Sequence, residues 1–129
     1  MIPSETTGIF STKTPLIVEP GFIVSWKSSL EATKRIKAVK PLIMVVPHSG
    51  CLSGTEVEEY LDKEREAILE AKELIFCLSA EGKTEEEILS VFQTTIFDRR
   101  SEAFKEFFPL SAFTANYRVM IPRTLAEGA

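Results

Sequence analysis

The sequence predicts an α/β fold, a small mixed sheet flanked by helices and followed by a helical extension. Three observations predict it. An amphipathic helical pattern runs directly into the apolar stretch Leu42-Ile43-Met44-Val45-Val46; Met1 to Val24 is broken by Pro3, Gly8, Pro15, Pro20 and Gly21; and helical periodicity with repeated capping boxes takes over after Gly54.

The proline- and glycine-rich opening leaves room only for loop and short extended pieces, at Gly8 to Phe10 and Pro15 to Val18. From Ser25 the residues Trp26, Leu30, Thr33, Ile36 and Val39 recur at helical spacing, with Lys27, Glu31, Lys34, Arg35 and Lys37 between them. Ser25 fits the N-cap, and the cations Lys34, Arg35, Lys37 and Lys40 complement the negative pole of the helix before Pro41 stops it. The basic cluster thus needs no ligand to explain it. The run Leu42 to Val46, rich in β-branched residues, reads as a strand buried on both faces of a parallel or mixed sheet.

Ser53-Gly-Thr-Glu56 and Thr55-Glu-Val-Glu58 both fit a capping box opening a long helix. Its stripe is Val57, Leu61, Glu64, Ile68, Ala71, Ile75 and Leu78, and Gly82 ends it. Thr84-Glu-Glu-Glu87 opens a shorter helix with Ile88, Leu89, Phe92 and Ile96 on its apolar face. Phe104, Phe107, Phe108, Phe113 and Tyr117 crowd the last segment, where Pro109 precedes a final helix over Leu110 to Ile121. That much aromatic surface calls for burial. The expected organisation is one domain over residues 1–129, with a sheet-and-helix segment at 1–54 and a helical extension at 55–129.

Bulk properties narrow the function classes. The chain has 129 residues, 44% hydrophobic and 26% charged, which suits a globular domain with its own core. Its net charge of -4 comes from dispersed acids, without the concentrated basic face of a nucleic-acid binder. Its apolar runs fall far short of the roughly 20 residues of a membrane-spanning helix. No nucleic-acid or membrane partner is expected, and the expected location is cytoplasmic, with Cys51 and Cys77 as reduced thiols.

His48 is the only histidine, so any imidazole chemistry these residues perform runs through it. It stands at the carboxyl end of the apolar strand, where α/β sheets place ligands, and Ser49-Gly50 lets the backbone turn tightly after it. The bland alternative is a structural histidine hydrogen-bonded to backbone. Cys51 lacks an aligned base and an orienting third group, and Asp98-Arg99-Arg100 reads as a solvated helix end.

The stretch PLIMVVPHSGCLSGTEVEEYL, from Pro41 to Leu61, resembles the last metal-ligand motif of metallo-β-lactamase-superfamily hydrolases. There a buried strand delivers a histidine followed by small residues, a glycine and a helix. Pro3-Ser4-Glu5-Thr6-Thr7-Gly8 resembles the family's segment carrying the acid that bridges two metals, with Glu5 where Asp is usual. The resemblance spans roughly Met1 to Leu61 and implies the C-terminal half of an αββα sandwich followed by a helical extension. It implies His48 and Glu5 as metal ligands, zinc as the cofactor with iron or manganese as alternatives, and a metal-bound water as the attacking group.

The family's HxHxDH motif and its next histidine belong before the acidic segment, and these 129 residues contain neither. One histidine and one acid are too few for a closed or catalytic site. The expected function is therefore the C-terminal part of a metal-dependent hydrolase, inactive alone, as a truncated product, an excised piece or one subunit of a split enzyme. Its expected partner is the missing N-terminal half or a second copy, docked on an exposed apolar face. The competing expectation is a non-catalytic α/β module that binds a protein through its acidic helices and aromatic tail.

Overall fold

The computed structural model describes residues 1, 8–11, 16–22 and 24–129. Among them are four short strands and five α-helices: β1 Ile9–Ser11, β2 Ile17–Glu19, α1 Trp26–Val39, β3 Ile43–Val46, β4 Gly50–Ser53, α2 Thr55–Ala80, α3 Glu85–Thr95, α4 Glu102–Phe107 and α5 Leu110–Glu127. The fold class is α/β with a wholly helical second half. The chain divides into two compact units, Met1–Ala71 and Lys72–Ala129.

In the first unit the strands form two antiparallel pairs, β1 with β2 and β3 with β4. The mixed sheet expected from the sequence is replaced by these pairs because the chain reverses at once after β3, and a tight reversal can join only antiparallel strands. β3 also departs from two-sided burial. Met44 and Val46 are buried, whereas Ile43 and Val45 are exposed. The register sets Met44 opposite Leu52 on the inner face and Val45 opposite Cys51 on the outer one. Phe10, Val18, Ile36, Met44, Val46, Leu52, Val57, Tyr60 and Leu61 form the core, with the Phe10 ring edge-on to Tyr60 at 5.4 Å.

α1 starts where its cap requires. The Ser25 hydroxyl accepts from the Ser28 N–H, satisfying a donor that the first turn leaves orphaned. Lys40 ends the helix in the left-handed conformation, its N–H bonded to the Lys37 carbonyl, since a residue before proline is pushed out of the right-handed helical region. Trp26, Ser29, Thr33 and Ile36 form the buried face, and Val39 is left outside it. On α2 every position of the expected stripe is buried, Glu64 included. Glu56 accepts from the Ser53 N–H, one arm of a capping box.

In the second unit Thr84 and Glu87 exchange both bonds of a capping box at the start of α3, and the Thr84 N–H holds the exposed Glu87 carboxyl below the usual carboxylate range. Ile88, Leu89 and Phe92 are buried on its inner face. A 3-10 turn over Phe97–Arg99 leads to α4, capped by the Ser101 hydroxyl on the Phe104 N–H. Phe104, Phe113 and Tyr117 of the aromatic tail are buried while Phe107 is exposed; Phe113 lies 4.5 Å from Tyr117 and 5.2 Å from Phe97 between centroids, and Tyr117 lies 4.5 Å from Phe92. α5 runs past the expected end at Ile121, through Pro122 to Glu127, with Ile121 and Thr124 both buried.

Candidate functional site

β3 and β4 are joined by Pro47-His48-Ser49, and the Ser49 N–H bonds the Val46 carbonyl at 3.1 Å. Proline at the second position and a positive φ at the third are the signature of a type II turn, whose third position favours glycine or asparagine. His48 occupies that third position, with φ 65° and its side chain exposed. A non-glycine residue held in the left-handed region costs about 1–2 kcal/mol. His48→Gly is therefore expected to leave stability within about 1 kcal/mol of the parent, on the stable side, when measured by urea denaturation. A larger loss would assign the imidazole a structural job.

The turn is anchored from one side. The Ser49 hydroxyl accepts from the Phe10 N–H at 3.0 Å, tying the His48 loop to β1. Beyond β3, the Met1 ammonium donates to the Ile43 carbonyl at 3.1 Å and the Val45 N–H to the Met1 carbonyl at 2.9 Å. That pair of bonds skips across Met44 in the pattern of a parallel ladder. The outer edge of β3 thus accepts a parallel neighbour while its inner edge holds antiparallel β4.

The outer face of β3 continues into an apolar surface. Leu42 is 85% exposed, Val39 64% and Ile43 55%, with Val45 beside them. Cys51 lies on the same outward face of β4, and both Cys51 and Cys77 are exposed free thiols.

A second cluster lies inside the first unit, around Gly8. The Gly8 N–H donates to Glu64 Oε1 at 2.9 Å, and the Tyr60 hydroxyl donates to the Gly8 carbonyl at 2.6 Å. Tyr60 and Glu64 are four residues apart on α2, so one helix face grips both ends of this residue. Glu64 Oε2 is buried with no hydrogen-bond partner among the described residues, and Glu19 is buried nearby on β2. Burial pushes the Glu64 carboxyl up to about 8; the Gly8 N–H opposes the shift and the Glu19 charge adds to it.

Of the two sequence-predicted site residues, His48 is presented by the fold at a strand end. Glu5 lies outside the described residues. No group of three or more His, Cys, Asp or Glu among the described residues is arranged to hold a metal. The Arg99 side chain is exposed at the 3-10 turn, and Tyr117 is packed in the core. Sequence reasoning singled out neither Tyr60 nor Glu19. The available signal was Glu64 itself, a carboxylate in an otherwise apolar stripe, with Tyr60 one turn before it. Among the described residues no helix is long and apolar enough to cross a membrane. Comparison with protein-family models, with curated proteins and with solved structures finds no match to this chain.

Proposed function

We propose that this chain is the C-terminal part of a metallo-β-lactamase-type, metal-dependent hydrolase, in which His48 supplies one ligand to a zinc site and Glu5 is the expected bridging acid. On this reading the chain forms part of an αββα sandwich, and another segment or subunit brings the remaining ligands. The observation that carries it is a mismatch on β3. The strand is apolar at every position, as strands covered on both faces are, yet only Met44 and Val46 are covered. The bare half, with Leu42 and Val39, is the surface such a partner would occupy. The edge of β3 that bonds Met1 in the parallel sense is where its sheet would continue.

The chemistry agrees with the placement. An exposed imidazole on a strained turn at a strand end stands where an incoming metal could reach it, and Ser49 bonded to Phe10 limits the loop's movement. Neutral imidazole suits zinc, iron and manganese. The metal would acidify a bound water, and His48 would hold and orient the metal.

The test is reconstitution with the HxHxDH-bearing segment that the gene's neighbourhood is expected to encode. Pairing it with this chain should yield a protein holding two metals, and His48→Ala should lose metal and cut hydrolysis about a hundredfold or more. An equally active His48→Ala pair would sink the assignment. The second reading, an α/β interaction module without catalysis, draws on the same apolar surface. It predicts that a partner binds there while His48→Ala changes nothing.

A further inference from the structure

The buried carboxyl of Glu64 plays no part in the proposed metal site, and its surroundings ask for a reason. Oε1 accepts from the Gly8 N–H, but Oε2 is shut away from water with no donor among the described residues. A bare carboxylate oxygen in such a place is unfavourable, whereas a protonated one is tolerated. Glu19, a second acid buried on β2, makes a negative charge on Glu64 costlier still. Lys63, next to Glu64 on α2, points its ammonium at the Leu16 carbonyl, 2.7 Å away, and at Glu59 rather than at Glu64.

We propose that the β1–β2 pair is latched to α2 by a proton on Glu64, so that the latch is closed in acid and loosens as the pH rises through neutrality. The gripped residue is Gly8, whose amide meets Glu64 and whose carbonyl meets Tyr60. Losing the proton places a charge on the buried carboxyl, and that charge is relieved when Gly8 moves off α2 and admits water.

Among the described residues, the groups that bear on Glu64 are few. From β2 there is Glu19, and from α2 Tyr60, whose hydroxyl is engaged with Gly8. On the β3–β4 hairpin, which touches β1 through Ser49, the titratable side chains are His48 and Cys51, both exposed. On α1 Lys37 pairs with Asp62, also on the surface. Among the described residues, none of these groups supplies a counter-charge that would hold Glu64 ionised in place.

Opening has a consequence at the turn. Phe10, whose N–H holds the Ser49 hydroxyl, sits two residues after the gripped Gly8, so release of Gly8 also slackens the loop that carries His48.

The sign follows from linkage. The closed form keeps its proton up to about pH 8, while an open, solvated Glu64 ionises near 4.5. Closing is therefore fully favoured below the lower value and loses ground between the two, by about tenfold per pH unit, until it levels off above the higher.

Hydrogen exchange of the Gly8 and Phe10 amides, corrected for intrinsic rates, reads this directly in the full chain. The expected result is opening that rises about tenfold per pH unit from about pH 5 to 8 and is flat in Glu64→Gln. The same slope in Glu64→Gln, or no slope in the parent, would overturn the proposal. If Glu64→Gln does not fold, carbon NMR titration of the Glu64 carboxyl in the parent decides. A midpoint near 8 supports the latch, and one in the ordinary carboxylate range overturns it.

Discussion

Gly8→Ala is expected to destabilise the first unit by about 3 kcal/mol, far more than the addition of one methyl group to a surface segment. A Cβ built at Gly8 would lie 1.9 Å from the Glu19 carbonyl oxygen and 2.6 Å from Glu64 Oε2. The first contact is with backbone, so no side-chain rotation relieves it. β1 would have to lift from β2, breaking the bonds from Gly8 to Glu64 and from Tyr60 to Gly8 and unseating the buried Phe10 ring. Urea denaturation should show the loss, with the Gly8 and Phe10 amides becoming exchange-labile first. A change within about 0.5 kcal/mol would mean that the close approach of Gly8 to β2 does not exist in solution.

In the second unit the largest effect is expected at Phe113. The residue is fully buried and its ring meets Phe97, Phe108 and Tyr117. Phe113→Ala removes the one ring common to all three contacts and leaves a cavity that aromatic neighbours refill poorly, at about 3–5 kcal/mol. The near-ultraviolet circular dichroism should collapse with it. Phe107, exposed on α4, is the control, since its truncation removes little buried area.

Local signals carried most of the secondary structure. Ser25 and Thr84 cap helices because their hydroxyls reach N–H groups that the first turn leaves unbonded, and such chemistry is written in the few residues around each cap. The α2 stripe was equally legible, since a period of 3.6 residues fixes which side chains share a face. The sheets were not. An apolar run states how much burial a strand is built for, but not which neighbour provides it, and β3 acquired an antiparallel partner and one bare face. The end of α5 was also not legible: the final helix was expected to span Leu110 to Ile121, and it continues through Pro122 to Glu127, with Ile121 and Thr124 buried on either side of the proline.

The candidate site divides the same way. His48 was legible as the only histidine at the end of an apolar strand, but its left-handed backbone depends on the turn that joins β3 to β4. The grip on Gly8 was hidden because it joins residues more than fifty positions apart. Sequence spacing along one helix places Tyr60 beside Glu64 without saying what they hold.

The most direct measurement of the central proposal uses the fact that His48 is this chain's only histidine. The chain is labelled with 15N-histidine, paired with the unlabelled HxHxDH-bearing segment and loaded with zinc, so that a single imidazole is observed. The account predicts that zinc shifts one ring nitrogen resonance of this imidazole and leaves the other as the protonated nitrogen, because a coordinated imidazole binds metal through one nitrogen. Ring nitrogen resonances left unchanged by zinc in the metal-loaded pair would contradict it.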